Sequence, residues 1–326
     1  MALAAPLVSV IIASYNRADD LRLCLQALRR SRLTEHEVII VDNASADHAR
    51  EVAAEFPAVT LVANPNNRGF AVANNQGLEL ARGRYVALVN NDAVLDEHWL
   101  SRGVDLLDAQ SDLAAVGGKF YLWNDDQPVG DRSNRFYGPA RVRWYGDTPQ
   151  DLDDPSPARY VPTLNGAGVI IRRSAISQIG EPFLDPKYFM YFEETDFFAR
   201  CIRSGFRLRY DPALECWHRV RASTAAVPYR YYYYIARNLG IFAARHFEPA
   251  AVLKTRIHLF NQASQAWLTQ RTLPARLSEE QRAWLDAWRW LSENAREVAA
   301  DRQRYLPGMP SYQEALRNIA RANEQA

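Results

Sequence analysis

Three early stretches of the chain are apolar almost without interruption: LVSVIIA over residues 7–13, EVIIVD over 37–42 and YVALVN over 85–90. A strand with one wet face alternates apolar and polar residues, whereas a continuous β-branched run is buried on both faces. Between the first two lies DLRLCLQALRRS (20–31), whose Leu21, Leu25 and Leu28 fall at i, i+4 and i+7 on one helical face. Residues 46–56 and 70–81 predict further helices, and VTLVAN (59–64) a short strand. Strands alternating with helices predict an α/β fold: a doubly wound, mostly parallel sheet with right-handed crossovers.

Past Asp96 the pattern predicts a helix over 97–110 and a strand over 114–122. Residues 124–160 are rich in Asp, Pro, Gly and Arg and suggest a long loop or lid. VPTLNGAGVIIRRSAISQIG (161–180) reads as a strand and a short helix, and 191–212 as a helix ending near Gly205 with a strand after it. From about Tyr229 the patterning is helical throughout, which predicts a C-terminal helical extension. Ser278 and Gln281 form a capping box ahead of a helix with Trp284, Trp288 and Leu291 on one face, and Ser311 with Glu314 repeats it. The expected division is 1–225 for an α/β domain and 226–326 for the helical region.

Composition narrows the function. The 326 residues carry 39 Lys plus Arg against 38 Asp plus Glu, a formal net charge of +1, which argues against coating nucleic acid by bulk charge. Three cysteines, Cys24, Cys201 and Cys216, include no CxxC pair and read as reduced thiols of a cytoplasmic protein. The apolar start MALAAPLVSVIIASYN lacks a charged leader segment and is broken by Pro6, so it does not read as a signal peptide. No apolar run approaches the roughly 20 residues of a membrane span.

Polar residues follow each early strand: Ser14, Tyr15, Asn16 and Arg17; Asp42, Asn43 and Ser45; NPNNRGFAVANNQG; and Asn90, Asn91 and Asp92. One such end reads as a turn or a helix cap. Four at one edge of a parallel sheet fit a ligand site, since open α/β sheets bind ligands beyond the carboxyl ends of their strands. There is no GxGxxG and no P-loop lysine. A second cluster, EETD (Glu193 to Asp196), sits among Phe189, Met190, Tyr191, Phe192, Phe197 and Phe198. Crowded, partly desolvated carboxylates have raised pKa values suited to general-base chemistry, while acids at a helix start also simply complement its dipole.

In that order, VSVIIASYNR, EVIIVDNAS, NRGFAVANNQG, YVALVNND and FMYFEETDFFAR resemble the signature of the family 2 glycosyltransferases, over about Val8 to Arg221. The resemblance implies a GT-A fold, a nucleotide-diphospho-sugar donor and inversion at the anomeric carbon. NND together with YRYYYYIARNLGIFAARHF is similar to bacterial rhamnosyltransferase-like enzymes of surface polysaccharide synthesis, which implies a glycan or lipid-linked acceptor. By the same resemblance, Ala13, Tyr15, Asn16, Arg17, Asp42, Asn43, Asn67, Gly69, Asn74, Asn90 and Asn91 are expected around the donor, with Asp42 accepting from the base. Asn67, Arg68 and Gly69 could equally be a plain loop. Asp92 corresponds to the last acid of the family's DxD motif, with Asn90 replacing the first, and His218 matches a histidine able to complete a Mg²⁺ or Mn²⁺ site. One carboxylate with substrate phosphates suits such ions. Glu194 corresponds to the catalytic base, commonly Asp in the family. Glu193 and Asp196 are expected to bind acceptor or fix the loop, and Gly166 and Ala167 to line the donor or acceptor pocket.

The aromatic, basic stretch 229–247 has two readings: a packed helix, or a face for a lipid-linked acceptor at the inner membrane surface with Arg230, Arg237 and Arg245 near phosphates. Trp284, Trp288 and Trp290 fit core or homodimer contacts. Two rival functions are a sugar-nucleotide nucleotidyltransferase, disfavoured because ASYNRADD is no Gly-rich basic loop, and a non-catalytic sugar-nucleotide-binding subunit, disfavoured by the intact acidic cluster.

Overall fold

The computed structural model describes residues 5–124, 129–130, 132, 136–137, 158–219, 228–272, 277–305 and 308–325. Most of the expected 124–160 loop lies outside the described residues. In the α/β part the order is β1 (Val8–Ser14), α1 (Ala18–Arg29), β2 (His36–Asp42), α2 (Ala49–Ala54), β3 (Val59–Ala63), α3 (Phe70–Leu80), β4 (Tyr85–Val89), β5 (Ala93–Leu95), α4 (Trp99–Ala109) and β6 (Leu113–Leu122). Then come β7 (Phe136–Tyr137), β8 (Arg159–Tyr160), β9 (Gly168–Arg172), α5 (Arg173–Ile179), α6 (Glu193–Arg203) and β10 (Arg207–His218).

These strands form one mixed sheet in the order β3-β2-β1-β4-β9-β6-β10-β5. The β3-β2-β1-β4 half is parallel, with Ser14 opposite Asp42 and Asp42 opposite Ala63. The strand ends therefore come out on one edge, as the sequence pattern expects. Strand β9 runs antiparallel between β4 and β6, and β5 antiparallel beside β10. Both sheet faces are covered: Val8, Val10 and Ile12 pack with α1 and α2, while Ile11 joins the opposite layer with Phe197 and Phe198 of α6. That is why the runs are continuously apolar. Gly118 sits where β10 breaks register against β6 between Tyr210 and Glu215. A Cβ there would lie 1.8 Å from the Leu214 carbonyl oxygen.

The C-terminal region is helical: α7 (Pro228–His246), α8 (Pro249–Thr272), α9 (Glu279–Glu293), α10 (Ala295–Tyr305) and α11 (Tyr312–Glu324). The Ser278–Gln281 capping box is formed in both directions, while at Ser311 the side chain accepts from the Glu314 N–H. Tyr312 and Ala315 of α11 pack into the α6 side of the sheet core. Trp284, Trp288 and Trp290 are half-buried and pack on α7 and α8 within this chain, so they are core contacts. Among the described residues no helix is long and apolar enough to cross a membrane.

Candidate active site

The loops after β1 and β2 brace each other. Asn16 and Arg17 both adopt left-handed backbone, at φ 58° and 68°. The Asn16 N–H donates to Ser45 Oγ at 2.8 Å, and Asn16 Oδ1 accepts from the Ala46 N–H at 2.8 Å. Asn91 Nδ2 donates to the Asn16 carbonyl at 2.8 Å and so ties the β4 end to the β1 loop. Ala13 and Tyr15 are half-buried beside this seam. Asp42 is buried, and its carboxylate accepts from Arg50 Nε at 2.6 Å and from the Ser45 N–H at 3.2 Å. A bound base would have to share this carboxylate with Arg50, whose own side chain is half exposed.

Asn43 and Asn67 shape the next loop from within. Asn43 Nδ2 donates to the Gly69 carbonyl at 3.1 Å, Asn64 Nδ2 donates to Asn43 Oδ1 at 2.9 Å, and Asn67 Oδ1 accepts from the Gly69 N–H at 2.9 Å. Gly69 has φ +85°, and a Cβ on it would lie 2.5 Å from the Phe189 carbonyl oxygen, so only glycine fits there. Asn74 donates to the Phe70 carbonyl, while its buried Oδ1 has no partner among the described residues.

At the β4 end Asp92 is buried and lies 3.0 Å from His218 Nε2, at the end of β10. Asn90 Nδ2 is 3.3 Å from the same nitrogen. Burial pushes the Asp92 carboxyl up, but His218 and Arg17 outweigh it and hold the group below its ordinary value. Asp20 belongs to this cluster although sequence reasoning passed over it. It is buried, pairs with Arg17 at 2.7 Å and Arg219 at 3.3 Å, and lies close enough to Asp92 to feel its charge. Its signal was position, three residues after the left-handed turn. Among the described residues no three His, Cys, Asp or Glu side chains converge as a metal cage. One carboxylate, one imidazole and a neighbouring amide nevertheless suit a divalent ion that takes its remaining ligands from phosphate and water.

The acidic cluster is built differently. Phe189, Tyr191 and Phe192 all have positive φ, at 64°, 67° and 74°. Non-glycine residues held in this region cost on the order of 1–3 kcal/mol each and persist only where the surroundings impose them. Here α7 imposes them. Asn238, fully buried, donates through Nδ2 to the carbonyls of Tyr188 (3.0 Å), Met190 (2.8 Å) and Tyr191 (2.7 Å). Arg237 adds bonds to the Lys187 and Tyr188 carbonyls at 2.6 and 2.8 Å. The turn feeds directly into α6, whose first residues are Glu193 and Glu194.

Glu193 is buried and Glu194 half-buried, and one oxygen of each has no hydrogen-bond partner among the described residues. Burial, then the charge of Glu194, pushes Glu193 well above the ordinary carboxyl range. Burial also raises Glu194, against the N–H groups of Glu194, Thr195 and Gly166, which favour its charged form. Asp196 has the opposite surroundings. Its carboxylate meets Tyr188 OH (3.0 Å), Arg200 Nε (3.1 Å), Arg245 Nη1 (3.1 Å) and His246 Nε2 (3.0 Å). Burial opposes its charge, but Arg245 and His246 win and hold the group far below the usual range. With its oxygens committed inside the protein, Asp196 fits the second of its two expected roles, fixing the loop, and not acceptor binding or a part in the chemistry.

The two clusters share a wall. The Asn90 N–H donates to the Ala167 carbonyl at 3.0 Å. A Cβ on Gly166 would lie 3.5 Å from Glu194 Cγ and 3.6 Å from the Phe70 ring. The segment 165–168 thus joins the Asp92 edge to Glu194, while the 67–70 loop leans on Phe189. By contrast, Arg237 and Arg245 do not face a membrane. They are 8% and 1% exposed, and Arg245 is paired with Asp185 (2.6 Å), Asp196 (3.1 Å) and Asp301 (2.7 Å). From Ala236 on the aromatic, basic stretch is a packed helix, while Arg230 in its first turn is exposed. A cavity of about 370 Å³ lined by α7 to α10 lies apart from all these residues.

The model of "Glycosyl transferase family 2" matches residues 9–180, more than half of the chain. The chain belongs to this family. Among its curated relatives, the glycosyltransferase AglE of Haloferax volcanii is 26% identical over 212 residues, 63% of this chain and 64% of that one. The match therefore spans just under two thirds of that relative's length. The N-acetylglucosaminyl-diphospho-decaprenol L-rhamnosyltransferase of Mycobacterium tuberculosis is 27% identical over 242 residues, 67% of this chain and 78% of that one. Among solved structures, the mannosyltransferase PcManGT of Pyrobaculum calidifontis, in complex with GDP-Man and Mn²⁺, superposes with a TM-score of 0.54 at 20% identity, covering 91% of this chain and 88% of that one. The likeness shows the GT-A fold of the family 2 domain.

Proposed function

We propose that the protein is an inverting glycosyltransferase that moves a sugar from a nucleotide-diphospho-sugar to a hydroxyl of a glycan or lipid-linked acceptor. The observation that carries this reading is the wall at 165–168. It sets two under-satisfied carboxyl groups with raised pKa beside the Asp92–His218 edge of a parallel sheet. Residues 1–225 would form the donor-binding and catalytic domain and 226–326 the helical region that braces it.

In this reading the donor lies over the strand ends. The base meets Asp42, and the ribose and diphosphate run past Tyr15, Asn16, Arg17 and the 67–69 loop toward Asn90, Asn91 and Asp92. Asp92 and His218 would hold Mg²⁺ or Mn²⁺, which when bound neutralises charge on the diphosphate. Arg17 and Arg219 add fixed positive charge at the same place, where charge develops on the leaving group. Glu194 takes the proton from the acceptor hydroxyl as its oxygen attacks the anomeric carbon opposite the leaving diphosphate. A raised pKa makes it a better proton acceptor near neutral pH than an ordinary carboxylate. Glu193, which burial and the charge of Glu194 push up, would meet the acceptor beside it, and Gly166 and Ala167 leave room for the sugar. Rhamnose is the first donor sugar to try, because the mycobacterial rhamnosyltransferase aligns with two thirds of this chain.

The test is nucleotide release from a panel of UDP-, dTDP- and GDP-sugars, with Mn²⁺, Mg²⁺ or EDTA, for wild type and Glu194→Gln. Metal-dependent release from one donor, reduced roughly 10²- to 10⁴-fold in the variant with donor binding retained, is the expected result. Donor binding without turnover under any condition, acceptor lipid included, would favour a non-catalytic binding subunit. Failure to bind any donor or nucleoside diphosphate would remove Asp42 and Asp92 from the site.

A further inference from the structure

We propose that helix α8 is a docking element that seats the protein on the surface of an anionic lipid bilayer. The inference goes beyond the transfer reaction and does not depend on it. The two faces of α8 are reversed from what a surface helix normally shows. Its buried positions are Thr255, Leu259, Ala263 and Ala266, with Val252 half-buried against the sheet core, so Leu259 is the one large apolar side chain it buries fully. Its outward positions carry Leu253 (59% exposed), Ile257 (51%), Phe260 (51%), Trp267 (40%) and Leu268 (56%). These are five of the eight large apolar side chains that the described residues leave exposed. At i, i+4, i+7, i+14 and i+15 they make one ridge about 22 Å long at 1.5 Å per residue. Scattered exposed leucines are ordinary, but a continuous ridge of this kind marks a surface that something covers.

Charge decides what covers it. From Pro249 to Thr272 the helix holds no Asp or Glu, and its cations Lys254, Arg256 and Arg271 are all exposed. Arg271 lies over the Trp267 ring, 4.1 Å from its centroid. A second copy of the chain packed on this ridge would set cations against cations, with no acid on either helix to pair them. An anionic bilayer supplies the missing charge: the ridge enters the boundary between headgroups and acyl chains while the cations remain at the lipid phosphates. Trp267 and Phe260 suit that boundary, where aromatic side chains concentrate. The sequence pattern offers a membrane face on the preceding aromatic helix. With Arg237 and Arg245 buried there, the membrane-facing role moves to α8.

The experiment is flotation of the full chain with vesicles of phosphatidylcholine alone or of phosphatidylcholine with phosphatidylglycerol, at low and high salt. Wild type is expected to float with the anionic vesicles, more weakly as salt rises, and to stay behind with neutral ones. Lys254→Gln/Arg256→Gln/Arg271→Gln should bind anionic vesicles roughly ten- to a hundredfold more weakly. Phe260→Ser/Leu268→Ser should lose binding at every salt concentration. The three cations are exposed, so the charge variant should melt with wild type, and if Phe260→Ser, which removes a ring packed 5.5 Å from Trp288, destabilises the apolar pair, the charge variant still decides. No flotation of wild type, or flotation that the charge variant retains, overturns the proposal. A dimer in sedimentation that Phe260→Ser/Leu268→Ser dissolves would also overturn it and give the ridge to a second copy.

Discussion

Glu193 and Asp196 lie within one turn of α6, both almost fully buried, yet their protons behave in opposite ways. Glu193 has another carboxylate beside it, no ion pair among the described residues and one unpartnered oxygen. Asp196 has two arginines, a histidine and a tyrosine hydroxyl. Desolvation is common to both and pushes both upward, so the neighbours decide. Three residues apart, the two acids share a side of the helix, and Asp196, tied to α7 through Arg245 and His246, holds that turn in place. A site that keeps carboxylates under-satisfied needs such an anchor, because desolvated acids weaken the fold that presents them.

The largest effect should come from cutting the anchor. Asp196→Asn leaves Arg245 and Arg200 buried with one carboxylate fewer, and losing one partner of a buried pair costs about 3–5 kcal/mol. Denaturant unfolding should show that loss at neutral pH. The sign in pH follows from the depressed pKa. The stability that Asp196 supplies is present above its unfolded value, near 4, and disappears as pH falls through the folded value. The gap between wild type and variant should therefore narrow in acid. A variant as stable as wild type at pH 7 would mean that the network is not what holds α6 to α7.

A smaller and more selective effect is expected one step away. Asn238→Ala removes the amide group that the carbonyls of Tyr188, Met190 and Tyr191 share, leaving Tyr188 its bond from Arg237, without touching the acids. Each abandoned buried carbonyl costs about 1–3 kcal/mol, and the positive-φ residues before Glu193 become free to relax. With Glu194 displaced from the wall at Gly166, kcat should fall about tenfold, the cost of a modest misplacement. The donor KM should change less than kcat, since the loops after β1, β2 and β4 brace one another and only the 67–70 loop leans on Phe189. A change in donor KM at constant kcat would argue that the clamp serves the donor side instead.

How much of this was legible beforehand follows from the range of the interactions. The strands β1, β2 and β4 and the inward face of α1 were readable because burial on both sides leaves a local, continuous apolar signature. The Ser278–Gln281 box was readable because both partners lie within four residues. The fates of the acids were not, since Arg245 meets Asp185 60 residues away and Asp301 56 residues away. The same gap left two readings of Arg237 and Arg245 open, because spacing along a helix does not say which side faces the core. Strand β9 was recognisable as a strand, but its antiparallel insertion between β4 and β6 depends on pairing that no local pattern encodes. Asp20 went unnoticed because an acid in the first turn of a helix has an ordinary explanation.

The finest test of the contrast is Glu193→Gln, for which the expected change is a gain. A carboxyl whose pKa is raised on folding binds its proton more tightly in the folded state, so it lowers stability as pH climbs above its unfolded value, near 4.3. Glutamine keeps the shape and has nothing to ionise. Wild type and variant should be equally stable in acid, and the variant should pull ahead as pH rises through the raised pKa. Each tenfold difference in proton affinity between folded and unfolded chains corresponds to about 1.4 kcal/mol, so the gain at neutral pH reads out how far burial raises Glu193. A gain independent of pH would show that Glu193 is already neutral by some other route. A loss would show that its carboxylate has a partner that glutamine cannot replace, and that the two acids of this turn are more alike than their surroundings indicate.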